Sequence, residues 1–508
     1  MTTPPLLLEG ARLPGAAPAG APTPVDLLVA DGVVAEIVPH GTPFASPAAA
    51  RAERLPLAGR WVMPGLHDRH VHASQWAMVS RRLDLAAADS AQAAADLVAA
   101  AAAGGAAEII GFGYRDGLWP DPPTRALLDR AAGDVPVVLV AADLHACWVN
   151  TAAARRHQVD AIAGESGLLR EDDCFRLVRS LDDIPDHTLD AWVADAADRA
   201  AARGVVGITD YEMRWNRDDW ARRADGGDFP LRVTFGIYPQ HLDRALAEGL
   251  RTGDPVAGTR GLVTVGGAKV ITDGSLNTRT AWCFDPYPGL EHHAHPHGIA
   301  TVPYDELLPL LRRAHAGGIA PAVHAIGDRA NARVLDALEA VEPGGWRGRA
   351  SIEHAQLLRR DDVERFARLG VVASVQPEHA MDDRDVADRY WAGRTDRAFM
   401  LADLQAAGVE LALGSDAPVA PLDPWIAIAA AVGRARDGRE PWHPEQAIDV
   451  RAALAASTGG AGVEVRVGAP ADLAVTELDP FAATVDELRA MSVAATLVGG
   501  RVTHSTLG

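Results

Sequence analysis

The chain has 508 residues, of which 48 are Lys or Arg and 68 are Asp or Glu, giving a formal net charge of −20. That acidic balance argues against a broad nucleic-acid or anionic-membrane surface, which requires clustered cations. With 48% hydrophobic and 23% charged residues, the composition is that of a globular protein able to bury a large core. Cys147, Cys174 and Cys283 are too few and too far apart in sequence for a disulfide framework or a cysteine zinc site, which favours a reduced, cytoplasmic setting. The opening MTTPPLLLEG lacks the basic and apolar regions of a signal peptide, and no window offers the roughly 20 apolar residues of a membrane span. No membrane and no nucleic-acid partner are expected.

Short apolar runs broken by Gly, Pro or Asp fill the first 60 residues, as in VDLLVADGVVAEIVP, where DG signals a hairpin. The same texture returns in ADLAVTEL and ATLVGGRVTH, so residues 1–58 and 462–508 are expected to build one small β-sandwich. Between them, eight apolar runs end in polar residues: WVMPGL, GVVGIT, LRVTFGI, VTVGGAKVIT, IAPAVHAI, RASIEHA, VVASVQP and VELALGSD. Amphipathic stretches such as TVPYDELLPLLRRAHAGG separate several of them. This α/β alternation predicts a (β/α)8 TIM-like barrel over residues 59–76 and 201–461, with the polar strand ends on its catalytic face. The long interval 77–200 carries its own strand-like runs, AEIIGFGY and VPVVLVAADL, and reads as an inserted α/β subdomain over the barrel mouth.

The sharpest motif is PGLHDRHVH, Pro64 to His72. His70 and His72 are two apart, so in a strand both imidazoles leave the same face and can reach one cation. By itself the pattern is as readily an ordinary pair of histidines. Lys269 in GGAKVITDG, His324 in AVHAIGDRAN, His354 in SIEHAQ and Asp416 in ALGSDAP occupy the ends of further strands. A lysine in a barrel strand is costly unless an acid pairs with it or it becomes a carbamate bridging two cations. Packing explains each histidine singly. It does not explain why all of them fall at equivalent strand ends.

These residues resemble the amidohydrolase superfamily, most closely its amidohydrolase-3 branch, which includes N-substituted formamide deformylases. PGLHDRHVH resembles the first-strand HxH motif, GGAKVITDGSLNTRTA the fourth-strand lysine segment, and HAIGDRAN, IEHAQ and GSDAPVAPLDP the fifth, sixth and eighth strand motifs. DLHACWVN, GESGLLRE and GAPADLAV are similar to further segments of the branch, so the resemblance spans nearly the whole chain. It implies one or two divalent metal ions, zinc foremost, with His70 and His72 on the more buried metal and His324 and His354 on the other. Lys269 is implied as a carboxylated bridge, and Asp416 as ligand and proton acceptor. His67 and Arg69 depart from the motif, where apolar and small residues are common.

The activity implied is hydrolysis of a carboxamide or N-acyl amine in a small-molecule substrate by metal-activated water. A deaminase or cyclic-amide hydrolase is the alternative, although Ala325–Ile326–Gly327–Asp328 follows His324 where deaminases place a Glu. A barrel that binds without catalysis is a third reading, disfavoured because all six ligand positions are filled. His145, Trp148, Arg279, Trp282, Asp328 and Gln376 are the candidate substrate contacts. Asp328 could instead cap the helix NARVLDALEAV. Trp76, Trp119, Trp215 and Trp425 could join Trp282 in an apolar wall. A homodimer is left open.

Overall fold

The structure, a computed structural model, describes residues 4–15, 23–114, 116, 119–141, 146–170, 172–181, 184–341 and 348–507. The chain divides into two compact units, Met1–Trp76 with Ala194–Gly508, and Ala77–Val193. Residues 194–200, expected in the insertion, thus belong with the barrel.

Strands β1 (Leu6–Ala11), β2 (Val25–Ala30), β3 (Val33–Pro39) and β4 (Glu53–Pro56) form a sheet in the order β3-β2-β1-β4. The β2–β3 hairpin turns at Asp31–Gly32, both with positive φ (52° and 80°), as the DG signal requires. β5 (Trp61–Pro64) joins a different sheet from β6 (Leu66–Val71), which is the first barrel strand. The apolar run WVMPGL is therefore two elements rather than one. Gly65 stands at the break, packed so closely on Val206 that a Cβ there would clash with it.

The second unit holds β7 (Leu83–Asp84), β8 (Ile109–Tyr114), β9 (Val137–Ala141), β10 (Ala146–Val149) and β11 (Leu168–Arg170) in the order β11-β10-β9-β8-β7. The pairs β7–β8 and β8–β9 are parallel, and β9–β10 and β10–β11 antiparallel. Its Ala-rich helix Ala91–Ala103 starts where the Ser90 hydroxyl accepts the Ala93 amide, and buries Ala91, Ala94, Ala95 and Val98 against the sheet. Cys147 and Cys174, distant in sequence, meet here as buried thiols with Sγ atoms 2.8 Å apart.

β12 (Val205–Asp210), β13 (Arg232–Ile237), β14 (Val263–Ile271), β15 (Pro321–Ala325), β16 (Ser351–His354), β17 (Val372–Val375) and β18 (Leu411–Leu413) follow β6 in sequential order in an eight-stranded, all-parallel sheet. A parallel bridge from Val71 to Ala417 brings the last strand segment back to the first. This is the (β/α)8 barrel. Val270, Val323, Ile352, Ala373 and Leu413 share one core with Leu307, Val334, Phe366, Leu404 and Ile428 of the surrounding helices. Each such side chain contributes about 1.5–3 kcal/mol on burial. The strands β19 (Leu473–Thr476), β20 (Val493–Val498) and β21 (Arg501–Ser505) complete the sheet β21-β20-β19-β5. Leu8, Leu27 and Val34 pack with Val62, Leu473, Val475 and Leu497 in one apolar layer, so both ends of the chain make a single β-sandwich. Among the described residues no helix is long and apolar enough to cross a membrane.

Candidate functional site

The backbone brings the first and last barrel strands together at their C-terminal ends. The Asp416 amide donates to the His70 carbonyl (2.7 Å) and the His72 amide to the Ala417 carbonyl (2.8 Å). Gly414 permits this approach, since a Cβ there would sit 2.7 Å from the His70 nitrogen. As a result Asp416 Oδ1 lies 3.5 Å from His70 Nε2 and 3.3 Å from His72 Nε2. Lys269 Nζ, on β14, is 3.2 Å from His70 Nε2 and 4.2 Å from the centre of the Tyr211 ring. The His354 ring is 4.9 Å from that of His70 and 4.4 Å from that of His324. All six residues predicted at strand ends therefore converge.

Among the described residues, two sets of donor atoms lie within 4.8 Å of one another: His70, His72 and Asp416, and His354, His379 and Asp416. His324 falls outside both sets, because its Nε2 is turned towards Asp273 Oδ1, 3.4 Å away. His379 was not among the residues singled out from sequence. It lies in the helix Pro377–Tyr390, one turn after Gln376, and its ring stacks at 6.3 Å on that of His354.

Buried carboxylates hold this cluster in place. His70 Nδ1–H donates to Glu353 Oε2 (2.8 Å), leaving Nε2 to face Asp416 and Lys269. Glu353 Oε1 accepts from the Ser351 and Tyr211 hydroxyls (2.5 and 3.2 Å). Burial would raise the Glu353 carboxyl, but the His70 hydrogen bond and the Lys269 charge hold it down to about 2. Burial pushes the Lys269 ammonium down to about 8, against the pull of Glu353 and Asp416. Burial, reinforced by the Lys269 charge, likewise lowers His70 to about 4. Asp416 resists its own burial because the His70 charge and the His72 hydrogen bond keep it well below the carboxylate range. Asp68 Oδ1 accepts the His70 and Ser415 amides (3.1 and 2.9 Å), and burial raises its carboxyl to about 7. His354 and Asp416 both sit at positive φ, 73° and 58°, so the backbone is strained at two residues of the site.

The predicted substrate contacts fare differently. Asp328 is buried with both oxygens taken, Oδ1 by the Phe284 amide (2.9 Å) and Oδ2 by Arg397 (3.2 Å). It is therefore not free for substrate, nor does it cap its helix, where Gly327 is the N-cap residue. Trp148 is fully buried in the second unit against Tyr114 and Trp119, so it packs a core instead of lining a pocket. Trp425 is likewise buried in the barrel core, and Trp215 lies under the Arg244 guanidinium at 4.2 Å. Half-buried Trp282 carries the Arg329 guanidinium 4.6 Å over its ring, and Arg279 lies 5.3 Å over Tyr390. The Trp282 amide is anchored by Asp273 Oδ2, which also accepts the Gly327 amide (2.8 Å each). Gln376 is buried at the end of β17 with its Nε2 unpaired among the described residues. His145 lies outside the described residues.

Nδ1 of His72 and His354 and Nε2 of His324 and His379 are buried with no hydrogen-bond partner among the described residues. Unpaired buried ring nitrogens are costly, and the two sets of imidazoles around Asp416 are the nitrogen and oxygen donors that a divalent cation takes. The residues present fit such an ion.

Comparison with known proteins agrees with this architecture. The model of the amidohydrolase family matches residues 56–504, and the chain belongs to that family as a hydrolase of the superfamily. It is 27% identical over 489 residues to YtcJ of Bacillus subtilis (strain 168), covering 89% of this chain and 90% of that protein. It is also 27% identical over 529 residues to the N-substituted formamide deformylase of Arthrobacter pascens, covering 95% of each. The fold is shared with an uncharacterized metal-dependent hydrolase from Pyrococcus horikoshii OT3, with a TM-score of 0.76 and 23% identity over 95% of this chain and 99% of the other.

Proposed function

We propose that the protein is a metal-dependent amidohydrolase that cleaves the C–N bond of a carboxamide or an N-acyl or N-formyl amine of small size. The observation that carries this reading is the convergence of His70, His72, His354, His379, Lys269 and Asp416, with unpaired ring nitrogens, at the C-terminal ends of the barrel strands. The likeness to the formamide deformylase along the whole chain points to the N-formyl amines within that class.

His70, His72, His354, His379 and Asp416 would hold one or two divalent ions, zinc being suited to imidazole and carboxylate donors. Such an ion supplies charge to polarise a carbonyl and to make water acidic enough to attack it near neutral pH. Glu353 fixes the His70 tautomer so that Nε2 keeps its lone pair. Lys269, lowered to about 8 by burial, has enough neutral amine near neutrality to add to carbon dioxide, giving a carbamate and a proton. Asp416, held ionised by its histidines, accepts a proton from the attacking water and returns it to the leaving nitrogen, so that a carboxylic acid and an amine are released. Asp328 is committed to Phe284 and Arg397 and takes no part in such proton transfer, which sets deamination behind amide hydrolysis.

The test is a screen of N-formyl amines, amides, esters and aminated purines and pyrimidines with zinc-loaded protein, following amine and ammonia release. Amine release from an acyclic amide or formamide is the expected result. Ammonia from the heterocycles alone would overturn it.

A further inference from the structure

Arg69 leaves the barrel strand β6 between the two residues that position the site, Asp68 and His70, yet it serves neither. It makes no hydrogen bond, ion pair or stacking contact with any described residue, and its Nε is buried and unpaired. Arg69 lines a cavity of about 310 Å³ inside the barrel, and also a neighbouring one of about 550 Å³ with Ala456 and Gly460. Several other residues lining the smaller cavity stand at or before the beginnings of strands, Ala320 and Pro321 at β15, Ser351 at β16, Val372 at β17 and Glu410 before β18, while Thr209 and Tyr211 at the end of β12 close its inner side. The cavity therefore occupies the end of the barrel opposite His70, His72 and Asp416.

This end of a (β/α)8 barrel is ordinarily closed by packed apolar layers. Here β14 contributes Gly266 and Gly267 to the lining, and the space is bordered by hydroxyls. Thr209 also lines the cavity, and its hydroxyl has no partner among the described residues. The one acid among the residues lining the cavity is already engaged, as is the carboxylate beyond Tyr211. Glu410 pairs with Arg349 at the rim, and Glu353 accepts from His70, Tyr211 and Ser351. One positive charge is thus left uncompensated, in a chain whose net charge is −20. A half-buried guanidinium with free donors is a fork for two oxygens of one anion, and such charge-assisted pairs are about twice as strong as neutral ones. The volume admits a group the size of several waters, each of about 30 Å³.

We propose that the foot of the barrel is a binding site for a small oxyanion, a phosphate or a small carboxylate, held by the Arg69 guanidinium with Thr209 as a hydroxyl donor and Arg349 at the rim. It shares the Tyr211 ring with the catalytic cluster, since that ring packs on His70 and Lys269, but it does not depend on the reaction assigned there.

The experiment is calorimetric titration of the purified protein with inorganic phosphate, acetate and succinate, each at constant ionic strength against a chloride control. Saturable binding of phosphate or of a carboxylate is expected, the arms distinguishing the two, and Arg69→Gln should weaken it at least about tenfold. A measurement needing no variant accompanies it: labelling of Arg69 by an arginine-specific dicarbonyl, read by peptide mass spectrometry, should slow when the anion saturates. Absence of saturable binding, equal binding by Arg69→Gln, or labelling of Arg69 unaffected by the anion would each overturn the proposal. So would binding lost in His72→Ala but kept in Arg69→Gln, which would place the anion at the catalytic end.

Discussion

The barrel and the β-sandwich each contain a buried carboxylate that binds the Nδ1 of a histidine. In the sandwich, Asp26 Oδ1 is 2.7 Å from His40 Nδ1, and in the barrel Glu353 Oε2 is 2.8 Å from His70 Nδ1. The two contacts have almost the same length and different consequences. The His40 side chain is 55% exposed, whereas His70 and Glu353 are each 1% exposed. At the surface, water and salt compete for the histidine and the carboxylate mainly ties down loop amides. Inside the barrel no water competes, so the same contact dictates which nitrogen carries the proton and where the other points.

Removing the histidines should have the largest effect. His70→Ala together with His72→Ala is expected to abolish turnover and lower the bound metal, read by metal analysis, while circular dichroism shows the barrel still folded. Asp416→Asn should lose about 10²- to 10⁴-fold in kcat while metal stays bound, because the proton path fails before coordination does. Retained turnover in either variant would remove the site from this end of the barrel. Glu353→Gln sharpens the comparison directly. It keeps shape but weakens the hold on His70, and the expected loss is about 10- to 100-fold in metal affinity or kcat/KM. An unchanged Glu353→Gln enzyme would mean that the buried contact is no more than its exposed counterpart.

The strand ends could be read in the sequence because a parallel barrel imposes a rule on them: an apolar run that stops at His, Lys or Asp delivers that residue to the same rim. Glu353 was hidden although it adjoins His354, since its importance lies in a contact with His70, 283 positions away. The signal available was a charged residue inside the apolar run RASIEHA, which is costly unless partnered. His379 was missed because it lies one helical turn beyond the strand end, where the rule no longer applies. Trp148 misled because β10 is buried on both faces, so no alternation marks an inward from an outward side chain. The pairing of residues 6–56 with the C-terminal strands showed only as a common texture, since nothing local encodes which distant strand packs opposite.

The smallest effect is expected at the sandwich contact, and it concerns stability instead of turnover. Asp26 accepts the Gly10 and Gly41 amides (2.7 and 2.9 Å) as well as His40. Burial alone would raise its carboxyl, but these amides and His40 together lower it below the ordinary value. A carboxyl lowered in the folded state adds stability that is fully present above the unfolded value of about 3.9 and is lost as pH falls through the folded one. Asp26→Asn should therefore cost about 1–2 kcal/mol at neutral pH in denaturant titration, with kcat/KM unchanged. The gap between wild type and variant should start to narrow as the pH drops below the unfolded value of about 3.9 and close only once it has passed below the folded one, where both side chains are neutral. A gap that persisted there would mean that geometry, not charge, gives Asp26 its value, and a fall in kcat/KM would show that the sandwich is coupled to the barrel rim.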